Sequence, residues 1–130
     1  MNVNNYENLE LIESIFNNIK KGFILCELIY DDQGRPINYR FLKANKMVEN
    51  HTGVRPKDML EKTAKELFPG LEQIWIDKFS ASVLEKKHIE FTEYNHNTNN
   101  HYKVNCFSPA ANKFIAVFED ISHEIDVEKN

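Results

Sequence analysis

The sequence predicts an α+β domain, with a single antiparallel sheet and its helices gathered on one face, and three observations predict it. Residues 113–122 (K-F-I-A-V-F-E-D-I-S) place Phe114, Ala116 and Phe118 on one face of a strand and Ile115 and Val117 on the other. A strand that is apolar on both faces belongs in the middle of a sheet. Two strand patterns open the domain and three close it, with helical spacing confined to the segment between them and to the residues ahead of Gly22. Neighbouring strand patterns are separated by runs of Asp, Asn, Gly and Pro, the residues that turn a chain back on itself.

At 130 residues with 42% hydrophobic side chains, the chain has room for one core and one main pocket. No apolar run approaches the roughly 20 residues that cross a bilayer, and the opening M-N-V-N-N-Y-E-N lacks the basic-then-apolar plan of a secretory signal. The segment is therefore expected in the cytoplasm, without membrane contact of its own. Sixteen basic residues against twenty acidic ones, with no basic stripe, argue against a nucleic-acid surface. Cys26 and Cys106 lack metal-ligand spacing and fall in apolar strand patterns, so they read as buried thiols in a reducing compartment rather than a disulfide.

Taken in order, Leu9, Ile12, Phe16 and Ile19 recur at helical spacing with Leu11 and Ile15 beside them, predicting an amphipathic helix over residues 1–21. Asn5 or Asn8 caps its start, and Lys20, Lys21 and Gly22 suit its end. Its apolar face must cover the sheet or pair with another chain. Residues 23–30 form a strand with Ile24, Cys26 and Leu28 on one side and Phe23, Leu25 and Ile29 on the other, interrupted only by Glu27. Asp31-Asp32-Gln33-Gly34 turns it into a hairpin, and turn chemistry explains the aspartate pair without a metal. The partner strand, residues 37–44, sets Tyr39 and Phe41 against Leu42 and Ala44.

Three short helices follow. Residues 45–53 carry Met47 and Val48 and stop at Thr52-Gly53; Pro56 opens the second; Thr63-Ala64-Lys65-Glu66 has capping-box spacing and opens the third, which Phe68-Pro69-Gly70 closes. A longer helix over residues 71–87 puts Leu71, Trp75, Phe79 and Ser82 or Val83 on one face, a core stripe. Strands at 88–94 (Ile89, Phe91, Tyr94) and 101–107 (Tyr102, Val104, Cys106), joined by the turn 95–100 and followed by the turn 108–112, lead into the central strand. Asp120 or Ser122 caps a helix that leaves the domain.

The turn Asp31-Asp32-Gln33-Gly34, the junction Ala44-Asn45-Lys46-Met47-Val48, the Thr52-Gly53 stop, Met59-Leu60-Glu61-Lys62-Thr63 ahead of Glu66-Leu67-Phe68-Pro69, and the ending Phe118-Glu119-Asp120-Ile121-Ser122 together resemble a PAS domain. The resemblance spans residues 23–122 and rests on order and spacing, with Ser122 where the family's exit triplet has threonine. It implies a five-stranded antiparallel sheet in the order 2-1-5-4-3, flanked by a helix at 1–21, with 22–122 as the PAS domain and 123–130 as the start of a linker to an effector. It further implies a non-enzymatic sensory module, of the kind found in two-component systems, that binds a small apolar or aromatic ligand or a partner domain. Such modules dimerise through the N-terminal helix or the open sheet face. They relay their state, here through Asp120, Ile121 and Ser122, to a linked kinase, cyclic-nucleotide enzyme or transcriptional regulator.

By the family's pattern Ala44 and Val48 face the ligand cavity; strand parity adds Cys26, Leu28, Leu42, Tyr102, Val104, Ala116 and Phe118, and the long helix adds Trp75 and Phe79. A tyrosine hydroxyl, the cysteine thiols and Ser82 or Thr92 are the expected polar groups of its wall. The resemblance names no ligand. A flavin photosensor needs a reactive cysteine in an Asn-Cys-Arg-type motif in the third short helix, where this chain reads Glu61-Lys62-Thr63-Ala64-Lys65-Glu66-Leu67, so photoadduct chemistry is not expected. A haem sensor usually has a histidine on the long helix. Residues 71–87 have none, His88 stands at its end, and His51, His96, His101 and His123 fall in turn or edge positions where a solvated ring is the default, so haem is not expected.

The alternative from another class is a cone-shaped α+β isomerase or dehydratase with a carboxylate or histidine base in its cavity. Glu27, Glu90 and Glu93 are the acidic residues within strands, and none is paired with a histidine as a dyad would be. The orientation of Glu27, Glu90 and His101 decides between the two readings.

Overall fold

A computed structural model describes residues 2–122, with side chains from Leu9 onward. The chain runs α1 (Asn2–Asn18), β1 (Gly22–Tyr30), β2 (Pro36–Ala44), α2 (Met47–Thr52), α3 (Pro56–Met59), α4 (Ala64–Leu67), α5 (Gln73–Leu84), β3 (Ile89–Asn95), β4 (Asn100–Ala110) and β5 (Lys113–Asp120). The strands form one antiparallel sheet in the order β2-β1-β5-β4-β3. β5 is central, as its two apolar faces require: Phe114 and Ala116 are buried on the helical side, while Ile115 and Val117 are half-buried on the other.

The first hairpin is set by its turn. Asp31 Oδ1 accepts the N–H groups of Gln33 and Arg35 at 2.9 Å, Oδ2 accepts Arg35 Nε at 3.0 Å, and Gly34 supplies the positive φ of 79°. These bonds, the Arg35 N–H first, hold the Asp31 carboxyl below the usual range. In the ladder, Leu25 pairs with Lys43 but Cys26 pairs with Phe41, so Leu42 is the extra residue of a β-bulge. The bulge reverses the expected parity of β2. Tyr39 and Phe41 face the helices and are buried, while Leu42 is only half-buried and lies outside the core.

The outer edge of β2 is covered by the chain between α3 and α4. The Phe41 N–H donates to Lys62 O at 2.9 Å and the Glu61 N–H to Phe41 O at 2.8 Å. α4 then starts from a complete capping box, Thr63 N–H to Glu66 Oε1 at 2.9 Å and Glu66 N–H to Thr63 Oγ1 at 3.3 Å. α5 is shorter than its apolar pattern. The Leu71 N–H bonds Phe68 O in a turn, Glu72 is extended at ψ 142°, and Lys86 has φ 52°, so the helix is Gln73–Leu84. β4 runs to Ala110 rather than turning at Ser108. A register shift between Phe107 and Ala110 accommodates Pro109, which has no N–H to give a ladder, and Asn112 makes the turn at φ 62°.

α1 does not cover the sheet. Leu9, Leu11, Ile12 and Ile15 are exposed, and the helix meets the domain at its end, where Phe16 packs on Phe23 at 5.7 Å. Asn45 secures that end. Fully buried, its Nδ2 donates to Phe16 O and Lys21 O at 2.8 Å each, and its Oδ1 accepts the Phe23 N–H at 3.0 Å. A side chain from the β2–α2 junction thus satisfies one of the carbonyls that the last turn of α1 leaves open. The exit helix expected beyond Ser122, and His123, lie outside the described residues. Among the described residues no helix is long and apolar enough to cross a membrane.

Candidate functional site

The inner face of the sheet and the helical wall line an apolar pocket of about 60 Å³ that is partly open to solvent. Ile24, Phe41, Val104 and Phe118 form its floor, Val48, Met59, Trp75 and Phe79 its roof, and Phe68 and Leu71 close one side. Phe118 lies tight against β1 because its partner Gly22 has no side chain; a Cβ there would stand 2.6 Å from the ring.

Of the residues expected at the cavity, Val48, Trp75, Phe79, Tyr102, Val104 and Phe118 are on its wall. Cys26, Leu28 and Ala116 are buried in the core without reaching it, and Ala44 packs at the core's margin. The reason is ring volume. Phe114 beside Cys26 and Tyr39 beside Leu28 meet at 5.3 Å, and Phe79 stacks on Phe114 at 4.5 Å and 13°, filling the space above those shorter side chains. Leu42 is absent from the wall because of the bulge, which puts Tyr39 and Phe41 there instead.

The expected polar groups also change. Ser82 is buried with its hydroxyl bonded to Phe79 O at 2.7 Å, and Thr92 is exposed on the opposite face of the sheet. Burial pushes the Cys106 thiol up to about 11, against a smaller lowering by Ser82, and burial raises the Cys26 thiol as well, so both stay protonated. The polar wall is made by Tyr39, Thr52, Asn95, Thr98 and Tyr102. Among the described residues, no charged side chain or histidine lines it.

Tyr102 joins this wall to the end of the domain. Its hydroxyl donates to His51 O at 3.0 Å, accepts from Asn100 Nδ2 at 3.2 Å and shares a hydrogen bond with Thr98 Oγ1 at 3.1 Å. Burial is the main influence raising its phenol pKa. His51, expected as a solvated ring, instead packs on Phe118 at 5.2 Å and Tyr102 at 5.7 Å, and its Nδ1 is buried without a partner among the described residues. Burial lowers its pKa and the Asp120 charge partly restores it. The Cα partner of Tyr102 across the ladder is Asp120.

The ending itself is stitched to the start of β4. Asp120 Oδ1 accepts the Ser122 N–H at 2.8 Å, Ser122 Oγ accepts the His101 N–H at 2.9 Å, and the Ile121 N–H donates to His101 O at 2.9 Å. These bonds fasten residues 120–122 to His101, the chain neighbour of Tyr102 on β4.

Glu27, Glu90 and His101 do not meet at the cavity. They alternate with the buried Cys26, Phe91 and Tyr102 on the outer face of β1, β3 and β4, where Glu90 pairs with Lys103 at 3.5 Å and His101 packs on Tyr94 at 4.8 Å. Glu93 lies opposite Tyr102 on the inner face but is not on the wall. Among the described residues no three His, Cys, Asp or Glu side chains gather as metal ligands do.

No family model and no curated protein matches this chain. Solved structures do. The PAS domain of a protein from Colwellia psychrerythraea superposes with a TM-score of 0.66 at 10% identity, covering 88% of this chain and 98% of that one. A domain of a sensory box sensor histidine kinase/response regulator from Geobacter sulfurreducens gives 0.62 at 14% identity, covering 88% and 96%. The PAS domain of a LuxR-family transcriptional regulator from Burkholderia thailandensis, in complex with ethanol, gives 0.59 at 11% identity, covering 85% and 96%. At these identities the likeness is one of fold.

Proposed function

We propose, from the premise that this chain has the PAS fold, that it is a sensory signalling module whose cavity takes a small apolar or aromatic molecule and whose exit segment passes the result to a linked effector. The observation that carries the reading is the double position of Tyr102. It lines the cavity, and it pairs with Asp120 at the point where the chain leaves the sheet. The neighbours from a sensor kinase and a transcriptional regulator support the same reading, and one of them is described with a small alcohol bound. The effector is a kinase, cyclic-nucleotide enzyme or transcriptional regulator in the cytoplasm, and two copies associate through α1 or the outer sheet face. With the acidic groups of the strands off the cavity wall, nothing favours the isomerase or dehydratase alternative.

Native mass spectrometry of protein purified from its host, compared with a denatured sample, tests the ligand. An extra mass lost on denaturation is expected, and a clean apo mass sinks the ligand-sensing form of the proposal. For the relay, Asp120→Ala in the full-length parent is expected to leave the fold intact and abolish the response. An unchanged response removes Asp120 from the route.

A further inference from the structure

Three donors on the cavity wall make no hydrogen bond among the described residues: the Tyr39 hydroxyl, the Trp75 indole N–H and Asn95 Nδ2. Tyr39 is 5% exposed, with its ring held edge-on by Phe41, Phe79 and Phe114 at 5.5, 5.4 and 5.3 Å. It lines the cavity, and its hydroxyl has no hydrogen-bond partner among the described residues. The Trp75 indole N–H, on the same wall, also has none. The remaining polar groups of the wall are engaged. Thr52 Oγ1 donates to Val48 O at 2.8 Å and accepts the Val54 N–H at 3.1 Å, Asn95 Oδ1 accepts the Asn97 N–H at 2.9 Å, and Thr98 and Tyr102 share their bond.

The hydroxyl is not a sealed-off polar atom, since among the described residues the buried side-chain nitrogen or oxygen without a partner is His51 Nδ1, so the donor is within reach of a guest in the pocket. A guest with an acceptor gives that donor a partner that a hydrocarbon guest does not. Burial, with the Cys26 thiol adding to it, pushes the Tyr39 phenol far above its usual range, so the group keeps its proton and acts as a donor. The wall has no charged side chain, so an ionised guest would sit in an apolar chamber without a counter-charge. Size narrows the choice further. One water needs ~10–15 Å³ of such space, so about 60 Å³ suits a molecule of roughly four to six heavy atoms.

Resting on the reading that this cavity takes a ligand, we propose that the ligand is a small neutral molecule with a hydrogen-bond acceptor, a carbonyl oxygen or ring nitrogen, that accepts from the Tyr39 hydroxyl. Hydrocarbons fit the walls but leave the donor unpaired. Carboxylates and ammonium compounds supply or demand charge that the wall does not balance.

Pyridine and benzene separate these cases, because they share a shape, differ by one ring nitrogen, and are both neutral at mildly alkaline pH. Binding to the whole chain is followed by proton–nitrogen correlation spectra, in which Trp75, the only tryptophan, gives the only indole signal. The wild type is expected to bind pyridine about tenfold more tightly than benzene, the range a buried donor gives when it gains a partner. Tyr39→Phe is expected to erase that preference and keep benzene binding. Equal affinity for the two rings in the wild type, a comparison that needs no variant, overturns the acceptor requirement. A preference that survives Tyr39→Phe overturns the role of Tyr39. Both of those results leave a ligand cavity in place, whereas binding of neither ring overturns the cavity reading and this inference together.

Discussion

α1 and α5 are both helices with an apolar stripe, and they end in opposite circumstances. On α5, Trp75, Ile76, Phe79 and Val83 are 0–7% exposed and pack on β2, β3, β4 and β5. On α1, Leu9, Leu11, Ile12 and Ile15 are 55–65% exposed, and contact with the domain is made at the last turn. Helical spacing specifies that a face is apolar; it does not specify what covers it. α5 is covered because two short turns bring its flanks back onto the sheet, whereas α1 is joined to β1 at its end and runs away from it. In the proposed module this division is useful. The covered helix roofs the cavity, and the uncovered one offers a surface to a second copy.

The comparison breaks most sharply at Phe79. Its ring stacks on Phe114 at 4.5 Å and meets Tyr39 and Phe91 edge-on, so Phe79→Ala opens a hole that rigid neighbours cannot close. A loss of about 3–5 kcal/mol in urea unfolding is expected. A loss comparable to that of an α1 surface substitution means α5 is not the roof described here. A smaller effect is expected at Asn45, the clasp between the two regions. Asn45→Ala leaves the Phe23 N–H and the Phe16 and Lys21 carbonyls short of partners, at about 1–3 kcal/mol. Amide exchange should speed up at the end of α1 and the start of β1 while α5 keeps its protection. Uniform acceleration across both helices would show that Asn45 supports the whole core and not the attachment of α1.

The parts of this molecule that were legible in its sequence are those fixed by short-range periodicity. The two-sided pattern of β5, the Asp31 turn and the Thr63–Glu66 capping box each declare themselves within a few residues, and each is found as read. The site was less legible because it depends on single-residue events. One extra residue at Leu42 turned β2 over and put Tyr39 on the wall, and neither glycine nor proline marks that bulge. Asn45 reads as a junction residue, but its partners lie 22 to 29 positions earlier, beyond what local pattern reports. Strand parity puts Cys26 and Leu28 on the inner face, where they lie, yet they do not reach the cavity, because whether a facing position is lined or filled depends on the neighbouring rings.

The smallest expected change in stability tests α1. Glutamates at Ile12 and Ile15 remove apolar surface that the domain itself does not bury, since these residues are 61% and 55% exposed. Ile12→Glu with Ile15→Glu should therefore shift the unfolding free energy at dilute concentration by no more than about 0.5 kcal/mol, as surface substitutions do. Association is where the effect should appear. If two copies pair through α1, sedimentation velocity will show the wild type as a dimer and the double variant as a monomer. A variant that stays dimeric moves the contact to the outer sheet face, where Phe107 is exposed and Leu25, Ile115 and Val117 are half-buried. A wild type that is monomeric at every concentration removes self-association and leaves the stripe of α1 for a different partner. Both results keep the contrast with α5, whose apolar face is satisfied within one chain.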